Sequence, residues 1–163
     1  MTSSADKGSD CSAVTYDLRQ PPSRAEVGMA SGASYTAKSC DDGFPASFTL
    51  PQGAGTSLTA TLVTADSYST PEPATAQPTT MDVHTGALNL DGAMGLARRL
   101  ADDLGIDPGP LQTWRQQVAA SDSTDGIDTP FMRSHLGYVT AEMQVSYLGT
   151  SSNTYVHLIF NLD

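Results

Sequence analysis

The most regular alternation of apolar and polar residues lies at the C-terminus. Every second residue from Val139 to Tyr147 is apolar, and the alternation returns from Val156 to Leu162. Because successive side chains of a strand point to opposite faces, each segment predicts a strand with one apolar face and one polar face. Residues 149–152 then form the loop of an antiparallel hairpin, and a shared apolar face requires Val145 to lie opposite Val156.

Two segments before the hairpin have the period of amphipathic helices. The first covers residues 90–104, with Asp91 as its N-cap and Gly105 at a left-handed stop. The second is capped by Asp107 and carries Pro108 in its first turn. The residues expected to be buried are Leu90, Ala93, Met94, Ala97, Leu100, Ala101 and Leu104 in the first helix and Leu111, Trp114 and Val118 in the second.

The N-terminal half carries weaker patterns. Ser23 and Glu26 have the spacing of a capping box, which predicts a short helix from Arg24 to Ala30. Alternating or β-branched runs predict short strands at residues 14–18, 46–50 and 58–65.

Two further segments lack any periodic apolar face. Residues 1–10 predict a disordered tail or tether, and residues 67–80, with three prolines, predict a loop. We therefore expect a single α+β domain over residues 11–163. Its predicted architecture is a two-layer sandwich, in which an antiparallel sheet ends in the C-terminal hairpin and both amphipathic helices pack on one face.

The charge balance excludes some partners. The chain has 18 acidic residues against 8 basic ones, a formal net charge of −10. Nucleic acids and anionic lipid surfaces attract clustered Lys and Arg, so we expect neither as a partner. No apolar run is long enough to span a bilayer, and we predict no transmembrane segment.

The composition favours an extracytoplasmic protein. A charge-poor, Ser- and Thr-rich chain with Pro-rich loops is typical of exported actinobacterial proteins, yet the chain opens with polar residues and carries no signal peptide. Two explanations fit: residues 2–10 are a tether that follows a lipidated cysteine in the native precursor, or they are an ordinary disordered N-terminus. The succession of "LADDLGID", an amphipathic helix and "LGYVTAEMQVSY" resembles actinobacterial lipoproteins in general, over the C-terminal half. That resemblance rests on no diagnostic residue and implies no site.

The two cysteines, Cys11 and Cys40, predict a structural disulfide. Neither has a second metal ligand at zinc-site spacing, and Asp41 and Asp42 beside Cys40 disfavour a reactive thiolate. An even cysteine count in an exported chain favours a bridge. A loop of about 30 residues closed in this way contributes roughly 3–4 kcal/mol in the chain-entropy model.

Candidate chemistry is sparse. The common catalytic and nucleotide-binding motifs are absent, and we assign no catalytic residue, metal ligand or cofactor. In "MDVHTG", Asp82 and His84 would share one side of an extended segment, as half of a metal or acid–base site. The polar face of the hairpin is the predicted ligand-binding surface, formed by Tyr138, Glu142, Gln144, Tyr155 and His157.

Three functions remain open on the sequence alone. The first is a monomeric, non-enzymatic domain, secreted or lipid-anchored to the outer face of the membrane, that binds an envelope protein, a glycan or a small ligand. The second is a hydrolase that uses His84 or His157 with a carboxylate. The third is a secreted inhibitor or immunity-type protein, whose acidic surface would meet a basic partner.

Overall fold

The computed structural model describes residues 11–67, 76–121, 126–149 and 152–163. Within these ranges the chain has a mixed α/β fold, consistent with the predicted α+β class, with one open eight-stranded sheet and two helices. The strands are β1 (Val14–Asp17), β2 (Tyr35–Thr49), β3 (Gly55–Asp66), β4 (Thr80–His84), β5 (Gly126–Asp128), β6 (Met132–Leu136), β7 (Val139–Leu148) and β8 (Asn153–Leu162). The helices are α1 (Leu90–Leu104) and α2 (Gly109–Ala120).

The strand order across the sheet is β1-β2-β3-β4-β8-β7-β5, and β6 also pairs with β7. Only the β1–β2 pair is parallel among the described strands. The C-terminal hairpin has the predicted register, with Val145 opposite Val156. Strand β4 is bonded on both sides, to β3 and to β8, so it is an inner strand. The sequence analysis described this segment only as extended and did not predict its neighbours in the sheet.

The two faces of the inner strands differ in burial. On β8, the even-numbered residues from Thr154 to Leu162 are buried and the odd-numbered residues are partly exposed. Along β4, and along β7 up to Ser146, the odd-numbered residues are buried and the even-numbered residues are partly exposed. The apolar core therefore contains Met81, Val83, Val139, Ala141, Met143, Val145, Val156, Leu158, Phe160 and Leu162 from one face of these three strands.

Helix α1 buries six of the seven predicted residues and contacts β3, β7 and β8; the seventh, Leu90, is only partly buried. It ends as predicted, with Gly105 at a φ of 68°. Its predicted cap was wrong, because Asn89 rather than Asp91 accepts the hydrogen bond, from the N–H of Gly92. In the described residues, no helix has the length and apolar character that crossing a membrane requires.

Helix α2 buries the predicted residues Leu111, Trp114 and Val118. The predicted cap was wrong, because Pro108 rather than Asp107 occupies the N-cap position, without a side-chain capping bond. The side chain of Asp107 accepts from the N–H of Gly109 at 3.0 Å and so satisfies one donor of the first turn. The indole N–H of Trp114 donates to the carbonyl of Ile127 at 2.8 Å, which joins α2 to β5.

The predicted disulfide is present between Cys11 and Cys40, with Cα atoms 5.3 Å apart. Cys40 begins an irregular stretch of β2, where the pairing with β3 shifts between Ser39 and Phe44. Gly43 ends this stretch at a φ of 85°, and a Cβ there would lie 2.7 Å from the side chain of Thr59. A residue other than glycine would therefore disturb the bulge.

The predicted helix from Arg24 to Ala30 does not form. Ser23 and Glu26 make both capping-box hydrogen bonds, but the segment consists of turns. Gly28, at a φ of 79°, takes the left-handed conformation that ends a helical turn.

Several other sequence predictions differ from the structure or lie outside it. The strand predicted at residues 46–50 is the end of the much longer β2, and β5 and β6 were not predicted. The tail at residues 1–10 and most of the Pro-rich loop, residues 68–75, lie outside the described residues.

Candidate functional site

The partly exposed face of β4, β7 and β8 brings together the two groups of candidate residues from the sequence analysis, which are the Asp82–His84 pair and the polar face of the hairpin. His84 lies opposite His157 in the β4–β8 pair, and His157 lies opposite Gln144 in the β7–β8 pair. Register places this row next to one containing Asp82 and Glu142, because residues two apart on a strand share a face. We call the surface formed by Asp82, His84, Glu142, Gln144, Tyr155 and His157 the histidine face.

Asp82, His84 and His157 form a compact cluster in the centre of this face. The imidazole rings of His84 and His157 stack, with centroids 4.1 Å apart and planes inclined by 16°. The Nε2 atom of His157 lies 2.8 Å from Oδ1 of Asp82, and these two side chains are 25% and 24% exposed. Solvent therefore reaches a cluster that two inner strands hold in place.

The electrostatics of the cluster favour a neutral imidazole at His84. Burial lowers the pKa of His84 below its ordinary value of 6.5, the charge of His157 lowers it further, and Asp82 opposes both effects. A neutral imidazole has a free nitrogen lone pair, so it can accept a hydrogen bond or bind a metal ion. One ligand atom each from Asp82, His84 and His157 lie within 4.8 Å of one another.

Strand β6 and the connection between β5 and β6 border the histidine face. Glu142 forms an ion pair with Arg133 of β6 at 3.2 Å, and Gln144 donates from Nε2 to the carbonyl of Thr129 at 3.1 Å. After Thr129, the ring of Phe131 stands edge-on to His157 with a centroid distance of 6.3 Å. Phe131 is 43% exposed and adds an aromatic group to this border.

Four of the five residues predicted for ligand binding lie on this face: Glu142, Gln144, Tyr155 and His157. The fifth, Tyr138, lies in the turn between β6 and β7, and its hydroxyl is 2.9 Å from the carbonyl of Leu18 and 2.8 Å from that of Gln20. Burial, with a smaller effect from Asp17, raises the pKa of Tyr138 to about 12. Tyr138 therefore attaches the segment after β1 to the C-terminal hairpin.

The sequence identified the Asp82–His84 pair and His157 separately but did not join them. Asp82 and His157 are 75 positions apart, and the link between them is the β4–β8 pairing. Nothing in the sequence indicated that Phe131 lies beside His157, because Phe131 follows Pro130 in a short connection without periodicity.

The described residues also form a cleft outside the histidine face. It has a volume of 540 Å³ and is bounded by β1, β2, β3 and the turn after Ser23, with Glu26 and Lys38 among its lining residues. None of the six residues of the histidine face lines it.

Comparisons of the chain with protein-family models, with curated proteins and with solved structures gave no match in any of the three.

Proposed function

We propose that this chain is an extracytoplasmic, non-enzymatic binding domain whose histidine face contacts a protein, a glycan or a small ligand. The observation that carries this proposal is the convergence of carboxylate, amide, imidazole and phenol groups on one partly exposed surface of three adjacent strands. Such groups supply the oriented hydrogen bonds that give a binding surface its specificity.

The position of the two helices also supports the histidine face as the binding surface. In the two-layer sandwich that we propose, α1 and α2 cover the apolar face of the sheet. Helix α1 contacts β3, β7 and β8, and its buried residues belong to the same core as Val156, Leu158 and Phe160. The opposite face of the hairpin then remains available for a ligand.

The proposed location rests on the Cys11–Cys40 disulfide, because structural disulfides persist in oxidising compartments. The proposal covers a secreted chain and a chain that is lipid-anchored to the outer face of the membrane. Mass spectrometry of the protein from the envelope fraction and the culture medium of its host tests the location. We expect a disulfide-bonded chain in one of these fractions; a chain found in the cytoplasm with two free thiols would contradict the location.

Binding can be tested by co-purification from the host envelope followed by calorimetry with the molecule identified. Tyr155→Ala and Gln144→Ala should weaken binding by about tenfold or more, which corresponds to about 1.4 kcal/mol. Gln116→Ala on the exposed surface of α2 is the matched control and should bind like the wild type. Equal affinity of all four proteins would exclude the histidine face as the binding surface.

A hydrolase is the second candidate, and the contact between His157 and Asp82 favours it. A carboxylate orients an imidazole in this way when the imidazole acts as a general base. In the described part of the chain, however, neither the imidazole of His84 nor that of His157 hydrogen-bonds a serine, threonine or cysteine that could serve as nucleophile; the hydroxyl of Thr61 donates to the backbone carbonyl of His84. Turnover of an ester or amide panel that is lost in both His157→Ala and Asp82→Asn would favour this function over binding alone.

A further inference from the structure

We infer that Asp82, His84 and His157 bind a divalent transition-metal ion of the Zn²⁺ type on the histidine face. This inference does not depend on the protein, glycan or small ligand proposed above. It rests on the donor set, the spacing of the donors and their position on inner strands.

The donor set suits these metals. Imidazole nitrogen is a preferred ligand of Zn²⁺, Cu²⁺ and Ni²⁺, and a carboxylate commonly completes such sites. Mg²⁺ and Ca²⁺ prefer sites made entirely of oxygen, so two imidazoles select against them. The formal charge of −10 also favours cations near the surface.

The spacing follows from the sheet. His84 and His157 are directly opposed, and opposed residues in an antiparallel pair have Cβ atoms about 5 Å apart. Asp82 pairs with Ile159, so it is the diagonal neighbour of His157 and reaches its Nε2 atom. The three donor atoms lie within 4.8 Å of one another, and ligands at about 2 Å from a Zn²⁺ ion need only a modest further approach.

Binding requires one local rearrangement. The two rings are almost parallel, so their nitrogen lone pairs do not yet converge on one point. Rotation about the side-chain bonds would open the stack and replace the His157–Asp82 hydrogen bond with bonds to the metal. The partial exposure of all three side chains leaves space for this rotation and for a water ligand.

Calorimetric titration of the full chain with Zn²⁺ alone tests the inference. We expect one site per chain with micromolar or tighter affinity, and no comparable heat from Mg²⁺. His84→Gln and His157→Gln should each weaken Zn²⁺ binding by about 100-fold or more. His135→Gln is the matched control, because His135 is exposed on β6 and contacts Thr140. Stoichiometric tight binding that is insensitive to His84 and His157, or equal loss in His135→Gln, would overturn the inference.

A spectrum of the wild-type chain tests the same site without depending on the folding of any variant. In a proton–nitrogen spectrum of the imidazoles, Zn²⁺ should shift the ring signals of His84 and His157 and leave those of His135 unchanged. The affinity should fall at acidic pH, since protonated imidazole cannot bind metal. Unchanged ring signals of His84 and His157 at saturating Zn²⁺ would contradict the proposed site.

Discussion

His84 and His157 stack across two inner strands, with ring centroids 4.1 Å apart. Burial disfavours the protonated form of His84, and two imidazoles in such contact cannot both carry a proton without repulsion. Asp82 offsets part of the repulsion by its contact with His157. The pair therefore connects the protonation state of the histidine face with the stability of the fold.

The first prediction concerns pH. Because the pKa of His84 is lowered in the folded state, the unfolded chain binds that proton more tightly. The stability contributed by neutral His84 is complete above about pH 6.5 and is lost as the pH falls through the lowered pKa. His84→Gln should reduce the rise in unfolding free energy between about pH 5 and pH 7 in urea titrations. His135→Gln should retain the wild-type rise, and an unchanged rise in His84→Gln would contradict this assignment.

The second prediction concerns Tyr138. Loss of its hydroxyl in Tyr138→Phe removes the hydrogen bonding to the carbonyls of Leu18 and Gln20 and should cost about 1 kcal/mol near neutral pH. The pKa of Tyr138 is raised to about 12, so its ionisation opposes folding. The contribution is therefore present below about pH 10 and is lost as the pH rises towards 12.

Urea titrations and the absorbance of tyrosinate check this prediction. Tyr35→Phe is the matched control, because Tyr35 is 53% exposed. An equal effect of both variants, or a normal titration of Tyr138, would show that the hydroxyl does not attach the segment after β1.

The third prediction concerns the disulfide. The bridge joins cysteines separated by 29 positions, and replacing both by serine should lower the free energy of unfolding by roughly 3–4 kcal/mol. Urea unfolding with and without reductant measures this. Reductant should lower the stability of the wild type to that of the double variant and leave the variant unchanged. A wild type that is equally stable after complete reduction would contradict this prediction.

The fourth prediction compares the two faces of β8. Phe160 is fully buried with its ring centroid 4.8 Å from that of Phe48, so Phe160→Ala should cost about 3–5 kcal/mol. Ile159 points to the opposite, partly exposed face, and Ile159→Ala should cost less than half as much. Equal losses in urea unfolding would mean that the two faces are buried to a similar degree.

Local periodicity was sufficient to predict α1, α2, β7 and β8, because each has an apolar pattern that matches one regular structure. It did not give the full extent of β2, since the shifted pairing near Gly43 breaks the alternation. The capping box at Ser23 predicted a short helix that does not form, because Gly28 ends the segment after a single turn.

The candidate site was predictable only in parts. The pattern of "MDVHTG" placed Asp82 and His84 on one side, and the hairpin placed Gln144 opposite His157. The contact of Asp82 and His84 with His157 depends on the pairing of β4 with β8, which tertiary packing determines. Tyr138 was placed with the polar face by alternation, but it precedes the first residue of β7 and lies in a turn.

The most direct test of the proposed binding surface is photo-crosslinking in the envelope of the native host. A photoreactive phenylalanine derivative replaces Tyr155 on the histidine face or, as the control, Gln116 on α2. The proposal predicts that the position of Tyr155 yields one dominant crosslinked product, identified by mass spectrometry, and that the position of Gln116 does not. The same product in equal yield from both positions, or from Gln116 alone, would contradict the proposal that the histidine face binds the ligand.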